Sequence, residues 1–257
     1  MSDQQHAYVN NSYLPEEVQL MKDGDLGSGV VRNFINSDEL AFCRQEIENI
    51  KEWPEHGKTS KYLGASWVDP LGQPLKEIFE DKLGNLLGDY TLDFFAYQEA
   101  IQPWKVHADI RWYDRPKHLP QHVVLIPLDV ITNGEENNNE WDDTYSIMFK
   151  QRNYLSNQKN TNKAELGNTD QKSWSRPCEN PSAELFTEGY NIDKDVHKKY
   201  LSHMPYDWME GLEIETIYKW EKMSCGHWDQ NQLHCADNFL AKNIKTKLSL
   251  IFFTNQG

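Results

Sequence analysis

The sharpest chemical feature of the sequence is His107-Ala108-Asp109, inside the alternating run Lys105-Val-His-Ala-Asp-Ile-Arg-Trp112. Side chains on a strand alternate between its two faces. The run therefore predicts a strand with His107, Asp109 and Arg111 on one face and Val106, Ala108, Ile110 and Trp112 on the other. An imidazole and a carboxylate two residues apart can take two adjacent positions on one metal ion. A third ligand must come from elsewhere, and the candidate is His234, in His227-Trp-Asp-Gln-Asn-Gln-Leu-His234. Two histidines and one carboxylate make a facial triad, which leaves three coordination positions open for substrates and dioxygen. Taken singly, each residue has a blander reading. A His and an Asp at this spacing also mark the solvent side of a half-exposed strand, and the chain has 9 histidines. The order of the motifs adds weight: Lys247 follows His234 by 13 positions, and Ser249 lies two further on, on the same face. A second His-x-Asp, His227-x-Asp229, lies seven residues before His234. That is too little chain to build a pair of strands between ligands, so His227 and Asp229 read as loop or rim residues.

The elements that must position these residues are legible in part. Asn36-Ser-Asp-Glu39 has the form of a capping box, with Ile35 and Leu40 as a hydrophobic staple. Leu40, Cys43, Ile47 and Ile50 then follow at helical spacing, which predicts a helix over 37–51. A second helix fits Pro74 to Leu87, opened by proline and ended by Gly88. After residue 90 the texture changes to short strands: Leu92–Glu99, Lys105–Trp112, Val123–Leu128, Thr144–Phe149, Glu213–Tyr218 and Lys247–Phe253. The continuous apolar run Val123-Val-Leu-Ile-Pro-Leu128 is the pattern of a strand buried on both faces. Helices followed by many strands predict helices packed on one face of a mainly antiparallel β structure. The length of 257 residues fits a single domain. Within it, residues 1–28 read as a loose arm and 151–212 as a polar insertion, either a lid over the metal pocket or a contact or ornament at the surface.

Composition narrows the function classes. The formal net charge is −14, and the basic residues are interleaved with acids, which argues against nucleic acid as a partner. No stretch approaches the roughly 18 apolar residues of a membrane span. The polar N-terminal stretch lacks the pattern of a signal peptide. The cysteines, Cys43, Cys178, Cys225 and Cys235, form no CxxC and suggest neither a disulfide framework nor a zinc cage. A cytoplasmic protein is the expectation.

His-x-Asp, a distal His and then Lys-x-Ser together resemble the iron(II)/2-oxoglutarate-dependent dioxygenase superfamily. The likeness extends over about 30–130 and 213–254, including "VVRNFINSDELAFCRQEI" and "VVLIPLDV". The resemblance implies a double-stranded β-helix, a cupin-like jelly roll with supporting helices. It implies Fe(II) held by His107, Asp109 and His234, with 2-oxoglutarate as co-substrate, O2 as oxidant, and succinate and CO2 as products. The distal carboxylate of 2-oxoglutarate would reach Lys247 and Ser249, where Arg is the more frequent anchor. Lys245 is a competitor without the Lys-x-Ser pairing. Tyr97 would either donate its hydroxyl to the co-substrate or be a core tyrosine. Arg111 would bind an anionic group of a small polar substrate, or lie past the rim and pair with an acid such as Asp114. A peptide substrate is the other option. The retained Asp109 favours hydroxylation over halogenation, since related halogenases carry Gly or Ala there; desaturation and cyclisation stay open. Rival readings are a cupin-like metal isomerase, a 2-oxoglutarate-independent dioxygenase and a non-catalytic jelly-roll binding module.

Overall fold

The computed structural model describes residues 15–50, 55–56, 60–109, 121–133, 141, 143–152 and 187–256. Its longer helices are α1 (Pro15–Gly24), α2 (Ser37–Asn49) and α3 (Gly72–Leu87). Its strands are β1 (Gly29–Val31), β2 (Glu55–His56), β3 (Ser60–Ala65), β4 (Tyr90–Ala100), β5 (Gln121–Thr132), β6 (Tyr145–Arg152), β7 (Ile214–Lys219), β8 (Cys225–Asp229), β9 (Gln232–Ala236) and β10 (Ile244–Gln256).

Local chemistry sets the helix ends. The Asn36 side chain accepts from the Asp38 and Glu39 amides, and Glu39 reaches back to the Asn36 amide, so the capping box forms as read. Helix α3 begins two residues before Pro74 and ends at Gly88, whose φ of 79° is open to glycine at little cost.

The strands form two antiparallel sheets. The larger has the order β1-β8-β5-β10-β4-β3-β2 and the smaller β7-β6-β9. Alternation distributes their side chains among three layers. Val124, Ile126, Leu128, Leu250 and Phe252 leave one face of the large sheet and pack on Leu40, Cys43, Leu75, Phe79 and Leu83 of α2 and α3. Val123, Leu125, Trp228, Ile251 and Phe253 leave the other face and meet Met148, Tyr218 and Trp220 of the small sheet. β5 is thus buried on both faces, as its continuous apolar run predicts. Gly226 permits the close approach of the sheets, since a Cβ there would stand 2.5 Å from the Tyr218 ring. Pro127 sits opposite a bulge between Leu248 and Ser249, where a strand tolerates a missing N–H.

Three expectations need correction. Residues 105–109 form no continuous strand; His107 makes an isolated bridge to His234, with reciprocal backbone bonds of 2.9 and 2.8 Å. The N-terminal arm is docked around Met21 and Leu26: Met21 is buried against the small sheet, and the Leu26 and Gly27 amides donate to Asp229. The span 151–212 is not an insertion at its ends. Gln151 and Arg152 complete β6, and Ile192, Leu201, Met204, Met209 and Leu212 cover the outer face of the small sheet. The part of the lid expectation at 153–186 lies outside the described residues. Among the described residues, no helix is long and apolar enough to cross a membrane.

Candidate metal centre

His107 and Asp109 reach the space between the sheets from the chain segment beside β9, and His234 reaches it from β9 itself. The neighbours of His107, Val106 and Ala108, turn the opposite way into the apolar layer outside the small sheet. The same parity holds on β9, where Leu233 and Cys235 join that outer layer and His234 faces inward with Met148 opposite. The alternation read from the sequence at 106–109 therefore survives without a regular strand.

One ligand atom from each of His107, Asp109 and His234 lies within 4.8 Å of the others. The His107 Nε2 is 3.6 Å from Asp109 Oδ1, and the His234 Nε2 is 3.3 Å from Asp109 Oδ2. Cis ligands about 2.1 Å from one octahedral ion stand about 3 Å apart, and both histidine–carboxylate pairs lie near that spacing. The backbone prepares both imidazoles for this. His107 Nδ1 lies 2.7 Å from the Lys105 carbonyl and His234 Nδ1 lies 2.9 Å from the Gln232 carbonyl. A carbonyl can only accept, so each Nδ1 carries the hydrogen and each Nε2 keeps its lone pair toward the shared centre. The donor set, two imidazole nitrogens and a carboxylate, suits a divalent transition metal.

Trp228, which the sequence reading passed over, supports this trio. Its indole Nε1 donates to Asp109 Oδ2 at 3.2 Å, and its ring lies 4.8 Å from that of His234. Its position one residue before Asp229 gives no hint of this role; only the sheet-to-sheet contact does.

Lys247 is 2 % exposed. Its Nζ donates to the Tyr145 carbonyl at 3.1 Å, stands 3.6 Å from Asp237 Oδ1 and lies 3.8 Å from the centre of the Trp220 ring. Burial pushes its ammonium down from 10.5 to about 8, with Asp237 opposing the shift. Asp237 is fully buried, accepts from Thr144 and also pairs with Lys242 at 2.9 Å. Ser249 is buried two residues along β10, and Gln98 of β4 is paired beside it. Lys245 is exposed, which removes it as a competitor for an interior anchor.

Of the two readings of Tyr97, the core tyrosine fits its surroundings. It pairs with Leu250 in the sheet and packs with Cys43, Phe95 and Leu250 on the helix side, the face opposite Lys247 and Ser249. Burial there, with Cys43 and Glu46 nearby, pushes its hydroxyl pKa up. It is a core tyrosine and does not reach the metal trio. Arg111 and Asp114 lie outside the described residues.

His227 and Asp229 are strand residues of β8 rather than loop residues. The buried Asp229 carboxylate accepts from the Leu26 and Gly27 amides, His122 and Arg152, and so ties the N-terminal segment across both sheets. Burial would raise its pKa, but His122, the Leu26 amide and Arg152 together hold it below 3.8.

No protein-family description and no curated protein matches the sequence. Solved structures do match in shape. One is the non-heme alpha ketoglutarate dependent epimerase SnoN from nogalamycin biosynthesis: 10% identity over 94% of this chain and 82% of that one, with a TM-score of 0.51. Another is the non-heme alpha ketoglutarate dependent carbocyclase SnoK from the same biosynthesis: 10% identity over 95% of this chain and 84% of that one, with a TM-score of 0.51. At this identity the likeness is one of fold: the chain has the double-stranded β-helix fold of these enzymes.

Proposed function

We propose that the protein is an iron(II)- and 2-oxoglutarate-dependent oxygenase acting on a small molecule, with 1–257 as one catalytic unit. The observation that carries this reading is the convergence of His107, Asp109 and His234 between the sheets, with both Nε2 atoms beside the Asp109 carboxylate. Iron(II) bound there would supply activation of dioxygen coupled to conversion of 2-oxoglutarate to succinate and CO2. The chain contributes the rest. Backbone carbonyls fix the imidazole tautomers, and Trp228 orients the Asp109 carboxylate. Lys247 and Ser249 would bind the distal carboxylate of the co-substrate. Asp237 keeps the Lys247 charge compensated until the co-substrate arrives.

Retained Asp109 supports hydroxylation as the outcome. SnoN and SnoK are an epimerase and a carbocyclase, so the same fold also serves other reactions, and product analysis distinguishes them from hydroxylation. A cupin-like isomerase would need the metal but no buried lysine, and the enclosure of Lys247 and Ser249 between the sheets favours the oxygenase.

The test is succinate release from 2-oxoglutarate by the purified chain with iron(II) under air. Release should require iron(II) and vanish in His234→Ala, whose circular dichroism should match the parent. Succinate formation that survives His234→Ala, or none from the parent chain with any of a broad set of small molecules, would overturn the proposal.

A further inference from the structure

Three consecutive amides, Gln230, Asn231 and Gln232, form and follow the turn by which the chain crosses from β8 in the large sheet to β9 in the small one. The turn touches the metal trio: the Gln230 carbonyl accepts from the Asp109 amide at 2.8 Å, and the Gln230 amide donates to the Gln121 carbonyl at 3.0 Å. Gln232, on β9, shares the inward parity of His234, and Gln230 and Asn231 lie in the turn just before it. All three side chains are enclosed, at 2 %, 5 % and 0 % exposure. Yet the oxygen and nitrogen of the Gln230 and Asn231 carboxamides have no hydrogen-bond partner, and neither does Gln232 Oε1. Five buried side-chain atoms without a partner therefore sit on this one turn. Gln232 Nε2, by contrast, is satisfied by the Phe149 carbonyl at 2.7 Å. Folded proteins pair nearly all their buried polar groups, because an unpaired one forfeits its hydration.

We propose that this turn is the docking shelf for the primary substrate, and that the part bound there is uncharged and carries both hydrogen-bond donors and acceptors, as a carboxamide or vicinal hydroxyls do. The inference rests on the oxygenase reading and gives it a substrate class. A carboxamide offers two donors and a two-lone-pair acceptor, so its best complement is a group that both donates and accepts. An anion would find no counter-charge in the turn. Arg152, opposite Gln232, is already engaged by Asp25, Glu215 and Asp229. A site of this kind discriminates strongly, because an analogue lacking the matching group leaves buried amides unpaired.

The test uses the full chain with nickel(II) and 2-oxoglutarate, a combination that binds without turnover. These two ligands should first raise the Tm; if they do not, the oxygenase reading falls, and the shelf with it. N-acetylated amino-acid amides and methyl glycosides are then titrated, each beside an analogue lacking the donor: the methyl ester or the deoxy sugar. At least one neutral probe should raise Tm by about 2 °C or more, and its donor-lacking analogue should not. Gln230→Met and Asn231→Leu should weaken that probe at least about tenfold, with the ligand-free Tm unchanged or higher, since each removes an unpaired polar group. Three results would overturn the shelf while leaving the oxygenase reading intact: no neutral probe binding, equal binding by parent and both variants, or a fall of several degrees in the ligand-free Tm of both.

Discussion

Replacing Lys247 by methionine separates a structural lysine from a co-substrate anchor, because the two roles predict opposite changes. Methionine keeps the length of the side chain and removes its charge. In the ligand-free protein the buried ammonium is a burden: its displacement from 10.5 to about 8 corresponds to about 3 kcal/mol of unfavourable burial. Asp237 retains Lys242 and Thr144 in the variant, so it is not left unpaired. Lys247→Met should therefore leave the Tm of the ligand-free protein equal or higher. The affinity for 2-oxoglutarate should fall by about 2–5 kcal/mol, roughly 30- to 5,000-fold, as the distal carboxylate loses its charged donor. Anaerobic titration of the iron(II) protein measures this directly. The pH dependence has a fixed sign. Above about 8 the lysine of the ligand-free protein loses its proton, so binding of 2-oxoglutarate must take one up, and affinity should fall about tenfold per pH unit beyond that point. Stability behaves in the opposite sense. Between about 8 and 10.5 the unfolded chain holds more protons at this site than the folded one, so the contribution of Lys247 to stability rises with pH across that window. Lys247→Met should remove both trends. Unchanged 2-oxoglutarate affinity in the variant would refute the anchor role, and a large loss of Tm would show that the lysine is a structural group.

Trp228→Phe removes the donor to Asp109 Oδ2 while keeping the ring over His234; metal affinity, measured by competition with a chelator, should fall by about 10- to 100-fold with the fold intact. Asp229→Ala leaves His122 and Arg152 without their shared carboxylate and should cost about 3–5 kcal/mol in urea unfolding at pH 7. In the parent protein, the part of stability due to Asp229 is present above 3.8 and is lost as pH falls below that value through the lower folded pKa, a slope that Asp229→Ala should flatten. Tyr97→Phe deletes a buried hydroxyl without a partner on the helix side of β4; 2-oxoglutarate affinity should be unchanged and the Tm equal or higher, and a clear rise in the KM for 2-oxoglutarate would contradict its placement away from the site.

What the sequence by itself determined is whatever depends on near neighbours along the chain. The capping box at Asn36, the amphipathic α2 and the two-faced burial of β5 follow from residue types a few positions apart, because hydrogen-bond reach and side-chain period are local properties. The His107–Asp109 pairing belongs to the same class, since parity two residues apart outlasts the loss of a regular strand. What only the tertiary structure decided is whatever depends on which faces meet. Tyr97 and Ser249 lie on neighbouring strands of one sheet, yet register puts Tyr97 beside Leu250 and therefore on the helix side. Lys245 and Lys247 have the same parity in the sequence, but Lys245 is exposed where β10 begins and Lys247 is enclosed between Trp220 and Asp237. Asp229 looks like half of a second metal motif, yet it is a hub for His122, Arg152 and the N-terminal segment. Trp228, Asp237 and the amides of the β8–β9 turn carry no local signature at all. Their roles arise because two sheets bring residues distant in sequence within hydrogen-bond reach in an interior where an unpaired charge or amide is costly, and no short-range pattern encodes that long-range pairing.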